Sequence, residues 1–326
     1  MKDPARTYRR DRTSPRTRFD ELETTISHLF RRPHPALGGR SYGAALYTAL
    51  TKRGLVRDAV FELGAGAGFV AAAMHEAAAA EGRSFTHTFL ELSPLLLALQ
   101  RTQVPGAFAL AAHAEQLPFR SGALEGLFLA NEVLADLRVA DVGEAESLQL
   151  VARYGLDLAD AQLLNVGALH LVEELARTLA PGSTAVLTEF GGDFPAAPVD
   201  LGGAFVRGRH VEHSIHFGHL EAAARNLGLS YERVPLAELL EMDLTLQVAS
   251  YPDVMRLRRW VPSLPVLAHP REELEARHPF LTRFFRFEFP AIGAPSFPNR
   301  TSRGGFAQLF FALLLRRAGD AQVVER

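Results

Sequence analysis

Residues 59–74, AVFELGAGAGFVAAAM, constrain this chain more than any other stretch. An apolar run closes at Phe61 and is followed by Glu62, by glycines at 64, 66 and 68, and by an alanine-rich helical run. That order predicts a buried parallel strand, a tight turn and a helix N-terminus. Glycine suits such a turn because its backbone reaches conformations that a Cβ forbids and can touch a ligand directly. A dinucleotide fingerprint, Gly-x-Gly-x-x-Gly, would place its third glycine at 69. Position 69 is phenylalanine, and the third glycine comes one residue early.

The pattern Glu62-x-Gly64-x-Gly66-x-Gly68 resembles motif I of class I S-adenosylmethionine (SAM) methyltransferases. That resemblance implies that the turn accepts the amino-acid end of SAM against bare backbone. A second strand, within SFTHTFLELSP at 84–94, ends in Glu91 about one βαβ step later. A carboxylate there can accept both ribose hydroxyls of the cofactor, with Leu92 and Ser93 beside it. The segment AFALAAHAEQLPF, 107–119, resembles a third strand and an adenine-binding loop. Methyltransferases often carry Asp-Ala in that loop; here the pair is His113–Ala114, with Glu115 as an alternative acceptor. A neutral histidine can accept from the exocyclic amine through one ring nitrogen.

ALEGLFLANEVLADL, 123–137, predicts a fourth strand with a polar cluster at its carboxyl end. Ligands of open α/β sheets lie outside those strand ends, so Asn131, Glu132 and Asp136 are candidates to face the transferred methyl and its acceptor. An alternative is a helix cap with first-turn acids. FLELSPLLLALQ together with LANEVLADLRV is similar to the MidA family, the complex I assembly methyltransferases with protein-arginine activity. Glu91, Ser93, Pro94, Asn131 and Glu132 match that family's two short motifs. Its aspartate and proline fall at Ala135 and Arg138 instead, with Asp136 displaced by one.

The chain has 326 residues, 48% of them apolar, enough for a large core without staples. It has no cysteine, which excludes disulfides, thiolate metal sites and a cysteine nucleophile. A net charge of −2 gives no field toward nucleic acid, and no run of 18 apolar residues predicts a membrane span. A cytoplasmic protein is expected, and a homodimer is compatible with the sequence. Residues 1–18 read as a disordered basic arm and 19–54 as an N-terminal helical cap, in which Tyr42 is a candidate wall of the cofactor site. The core is expected over 55–235 and 306–317, and 236–305 as an insertion or lid before the last strand. In that insertion FFRFEF predicts a half-buried strand with Phe285, Phe287 and Phe289 on one face.

Four histidines, 210, 213, 216 and 219, recur at every third residue across a strand expected over 211–217 and the start of the helix that leads to a sixth strand. Imidazole is a common metal ligand, but odd spacing sends strand neighbours to opposite faces. Threefold steps on a helix drift by about 60°. No metal is expected, and His216 is retained as a candidate general base.

The expected fold is an α/β, doubly wound, mainly parallel Rossmann-like methyltransferase sheet. It carries the helical cap at its N-terminus and the insertion before its last strand. The expected activity is methyl transfer from SAM, leaving S-adenosyl-L-homocysteine (SAH), to a small-molecule acceptor by O-, N- or C-methylation. A MidA-like protein-arginine methyltransferase and a non-catalytic SAM-binding assembly factor are the alternatives.

Overall fold

The computed structural model describes residues 25–198, 212–284, 287–297 and 305–318. The basic arm at 1–18, His210 and Phe285 lie outside these residues. The N-terminal cap contributes α1 (Ile26–Leu29) and α2 (Tyr42–Lys52). Ser41 starts α2 by accepting the Ala44 N–H, and Gly54, at φ +68°, follows its end. The predicted strand–turn–helix is β1 (Ala59–Leu63) running into α3 (Phe69–Ala80). Next come β2 (Thr86–Glu91), α4 (Pro94–Gln103) and β3 (Phe108–Ala111). Ser93 accepts the Leu96 N–H and Pro94 occupies the first turn of α4, where no N–H is needed.

β4 (Leu127–Asn131) is buried at every residue, as a strand covered on both faces must be. Two helices follow, α5 (Ala145–Tyr154) and α6 (Val166–Thr178), and Gly155 at φ +60° ends the first. A two-residue hairpin pairing, β5 (Ala140–Asp141) with β6 (Leu163–Leu164), flanks α5. Then follow β7 (Thr184–Gly192), β8 (Ile215–His216), α7 (Phe217–Asn226) and β9 (Leu229–Pro235). The insertion holds α8 (Leu236–Leu239), α9 (Tyr251–Arg258), α10 (Arg271–Arg277) and α11 (Pro279–Phe284). After it come α12 (Phe306–Leu309) and β10 (Phe310–Arg317), the predicted last strand.

The sheet runs β3-β2-β1-β4-β7-β10-β9, with β8 added beside β7. β3, β2, β1, β4 and β7 pair in parallel. β10 is antiparallel to both β7 and β9. The doubly wound, mainly parallel sheet is therefore present, with one reversed strand between the last two. Period-2 alternation divides its side chains. Leu127, Leu129, Val186, Ala312 and Leu314 face a core shared with the cap (Ile26, Phe30, Leu46) and the insertion (Val248, Val266, Phe297). Phe128, Ala130, Leu187, Leu313 and Leu315 face α5, α6 and α7. Cap and insertion are also hydrogen-bonded to each other, Ala268 N–H to the Leu29 carbonyl at 2.9 Å and Asp243 N–H to the Ala36 carbonyl at 2.8 Å.

Two local expectations are corrected. The described residues of FFRFEF form no strand element: Phe284 ends α11, and Phe287 and Phe289 lie outside helix and strand. They pack against the apolar cluster of Ala249, Val254, Leu257, Leu264 and Leu274. From Glu288 the chain instead runs antiparallel to 246–250, where the Val248 and Ser250 N–H groups donate to the Pro290 and Glu288 carbonyls at 3.1 and 3.4 Å, and the pairing stays an isolated bridge. The strand expected over 211–217 is reduced among the described residues to Ile215–His216, because α7 begins at Phe217. No helix among the described residues is long and apolar enough to cross a membrane.

Candidate functional site

The glycine turn, the end of β2 and the end of β4 converge at the carboxyl edge of the parallel strands. Gly64, Gly66 and Gly68 all have positive φ, at +63°, +52° and +84°. At Gly68 the requirement is twofold. The left-handed backbone disfavours any other residue, and a Cβ would lie 3.1 Å from the Gln100 Cα. α4 therefore packs directly on the turn. Gln100, fully buried, donates its amide to the Gly66 carbonyl at 2.9 Å and to Glu91 Oε2 at 3.4 Å. Glu91 Oε1 accepts the Leu92 and Ser93 N–H groups at 2.7 and 2.9 Å. Burial pushes the Glu91 carboxyl above its ordinary range, against the pull of those bonds.

Glu62 departs from this grouping. It is buried beneath the turn, and His87 Nε2 meets its Oε2 at 3.0 Å. The His87 ring in turn packs among Phe89, Phe85 and His75. Burial and the neighbouring His87 depress the His75 pKa to about 4.

Past β3, the Ala112 N–H extends the strand by reaching the Glu91 carbonyl at 3.3 Å, which sets His113 and Ala114 beside Glu91. His113 Nδ1 accepts the Glu115 N–H at 3.1 Å. A neutral ring that accepts at Nδ1 carries its hydrogen on Nε2. The outward nitrogen is then a donor, suited to a purine ring nitrogen and unable to accept from an exocyclic amine. Glu115 is held by Arg138 at 2.9 Å, and Arg138 also binds Glu146. Those carboxylates raise the guanidinium's pKa further.

At the end of β4, Asn131 Oδ1 accepts from the Tyr42 hydroxyl at 2.6 Å and from Thr188 at 2.8 Å. Its amide is left to donate to Glu132 Oε1 at 3.3 Å. Burial, then the charge on Glu132, raises the Tyr42 pKa well above its ordinary value. Glu132 stands at φ +54°, and both its oxygens reach across to the cap: Oε2 accepts the Ile26 N–H at 2.6 Å and Oε1 the Ser27 N–H at 2.9 Å. Glu189 is buried and accepts the Ala135 and Phe190 N–H groups at 3.0 and 2.9 Å. Asp136 follows on a short turn, and its charge is felt at Glu91.

The structure thus brings Tyr42, Gly64, Gly66, Gly68, Glu91, Leu92, Ser93, His113, Ala114, Asn131, Glu132 and Asp136 to one edge of the sheet. His216 stands at the end of β8, where its Nδ1 caps α7 by accepting the His219 N–H at 3.3 Å. The two rings stack at 3.7 Å, and His219 Nε2 meets the Asp157 carbonyl at 2.7 Å. Burial, with His219 beside it, lowers the His216 pKa to about 4. Among the described residues no group of three or more His, Asp or Glu could hold a metal ion. Sequence reasoning missed Gln100, Thr188, Glu189 and the Ile26 and Ser27 amides. Gln100 left a signal, as a polar residue sharing the buried stripe of α4 with Leu96.

The raised carboxyls predict a pH effect on stability. Burial first, then Glu132 and Glu212, drive the Glu189 carboxyl well above 4.5. The native state therefore keeps a proton that the unfolded chain releases, and stability falls as pH rises from the unfolded value through the folded one. Glu189→Gln removes this proton uptake. Wild type should lose stability relative to Glu189→Gln as pH rises above the ordinary carboxyl value of 4.5 in denaturant titrations. Parallel curves would refute the assignment.

No protein-family model matches the chain, and neither does any curated protein. Among solved structures, an uncharacterized protein from Burkholderia thailandensis aligns at TM-score 0.51 and 18% identity, over 99% of this chain and 90% of its own. A member of the same superfamily from that organism, bound to S-adenosyl-homocysteine, aligns at TM-score 0.49 and 17% identity over the same shares. At such identity the likeness is one of fold, a Rossmann-like, doubly wound and mainly parallel α/β sheet.

Proposed function

We propose that the chain is a SAM-dependent methyltransferase acting on a small-molecule acceptor. One observation carries the reading: Gln100 ties the Gly66 carbonyl to the Glu91 carboxylate. A bare-backbone turn and a strand-end acid suited to a ribose are thereby held side by side at the edge of a sheet of this fold. Gly64, Gly66 and Gly68 would receive the amino-acid end of the donor, Glu91 its ribose, and His113 and Ala114 its adenine. Bound SAM would supply an electrophilic methyl. The chain's own part is to hold donor and acceptor in line, and such placement can supply roughly 7–11 kcal/mol. Asn131 and Asp136 would orient the acceptor, and Asp136 would take its proton where one must leave. No metal is assigned a role.

A small acceptor is favoured because the cap and insertion form one core over this face of the sheet. Glu132 and Glu189 are also committed to backbone N–H groups. The second reading, a MidA-like protein-arginine methyltransferase, draws on the same acids, which would suit a guanidinium once released. A non-catalytic SAM-binding factor differs from both by binding without turnover. Calorimetric titration of tag-free protein with SAM and SAH should give saturable heat, and label transfer from methyl-labelled SAM to small amines, phenols and arginine peptides then sorts the acceptors. Folded protein that gives no heat with either ligand sinks the reading.

A further inference from the structure

β3 is the last strand at its end of the sheet, and among the described residues no segment pairs with its outer side. Strand geometry says which groups that side offers. The Ala112 N–H points inward, to the Glu91 carbonyl, so the N–H and carbonyl groups of Ala109 and Ala111 point outward. Phe108 and Leu110 share one face of the strand and are 63% and 40% exposed. Leu95 and Leu99, one turn apart on α4, are exposed as well, and that helix packs against β3. No other stretch of the described chain leaves so many large apolar side chains to water.

The opposite edge shows how this chain guards a strand from pairing. β9 carries Glu232, exposed and held by Arg53 at 2.8 Å, and it ends in Pro235. Charge and proline of that kind block the approach of another strand. β3 has neither. No residue from Thr102 to Ala112 is charged, and Pro105 lies in the turn before the strand. An uncharged, apolar edge is a template for one more strand.

We propose that β3 pairs with β3 of a second copy of this chain, antiparallel about a two-fold axis through Ala109, to make one continuous sheet. The strand's own sequence selects that occupant. With the axis at Ala109, the Ala109 N–H of each copy meets the Ala109 carbonyl of the other, and Phe108 of each copy stands opposite Leu110 of the other. The Phe108–Leu110 pairs are the non-hydrogen-bonded ones, which bring side chains closest. On the other face alanine meets alanine, so nothing bulky keeps the backbones apart. No like charges are opposed, and a two-fold contact of one patch with itself is the commonest closed assembly. A strand this short buries less than the roughly 1,200 Å² of a stable interface, so the dimer exchanges with single chains at micromolar concentration. Nothing in this contact depends on what the crevice binds.

Sedimentation of the full chain over about 1–300 µM reads the assembly. Wild type should pass from the mass of one chain to that of two, and Ala109→Pro should stay a single chain throughout. The Ala109 N–H is not used inside the sheet, so proline there spares the pairing with β2 and blocks only the outer edge. Phe108→Lys and Leu110→Glu, both at exposed positions, read the register and keep the test open should the proline variant fold poorly. Each alone should remain single, because its charge would face an apolar side chain on both sides of the axis. Mixed in equal amounts they should pair, since the introduced lysine then faces the introduced glutamate while Leu110 of one copy meets Phe108 of the other. A wild type that is still one chain at about 300 µM overturns the proposal, whatever other protein takes the edge. So does a folded Ala109→Pro that dimerises like wild type. Charge variants that fail to pair when mixed, beside a wild type that dimerises, also overturn it, because the axis then lies elsewhere.

Discussion

Replacing Glu91 by alanine is expected to weaken SAH binding by about 3–6 kcal/mol, at least a hundredfold in Kd. A buried carboxylate that accepts two ribose hydroxyls makes two charge-assisted bonds, each about 1.5–3 kcal/mol. Alanine also strands the Leu92 and Ser93 N–H groups that Glu91 now satisfies, and leaves the Gln100 amide only its bond to the Gly66 carbonyl. Gln100→Glu separates the charge from the architecture. It places a second carboxyl beside Glu91, and two neighbouring carboxyls resist ionising together. Affinity in Gln100→Glu should therefore be poor near pH 8 and recover toward pH 5 as the pair takes up a proton, whereas a merely loosened helix would bind poorly at both. Wild-type affinity in Glu91→Ala would falsify the ribose assignment.

The sequence made the framework of this site legible because glycine and strand-end acids leave short, ordered signals. A glycine turn has few alternatives, so 59–74 reads the same from sequence as from structure. Partners were harder to read. Glu62 follows the motif, yet its carboxylate meets His87 on the next strand, and one-dimensional spacing holds no record of that pairing. Glu132 was placed by its strand end, whereas its bonds to Ile26 and Ser27 depend on how the cap folds back. The aromatic repeat at 285–289 suggested a strand, whereas the antiparallel pairing lies a few residues later, between 288–292 and 246–250, and amounts to an isolated bridge. What escaped the sequence was long-range pairing, which depends on packing more than on local pattern.

Gly43→Ala should be among the most damaging single changes outside the donor site, although it adds one methyl group. Gly43 lies in α2 where that helix crosses α3. A Cβ there would stand 2.5 Å from the Val70 carbonyl oxygen and 2.9 Å from the Ala73 Cβ. The first neighbour is backbone and cannot turn aside, so α2 must back away from α3. Overpacking of this kind costs up to about 3 kcal/mol, for a fall in Tm of roughly 6 °C in a chain of this size. The consequence reaches the site, because Tyr42 is the preceding residue and its hydroxyl orients Asn131. Gly143→Ala supplies the comparison, since a Cβ there meets nothing within 4 Å. That variant should melt within about 1 °C of wild type, the usual range for a surface change. Equal melting of the two variants would show that α2 and α3 are not held at the distance the structure gives. Lowered stability in Gly43→Ala with undiminished SAH affinity would separate the cap's packing from its part in the site.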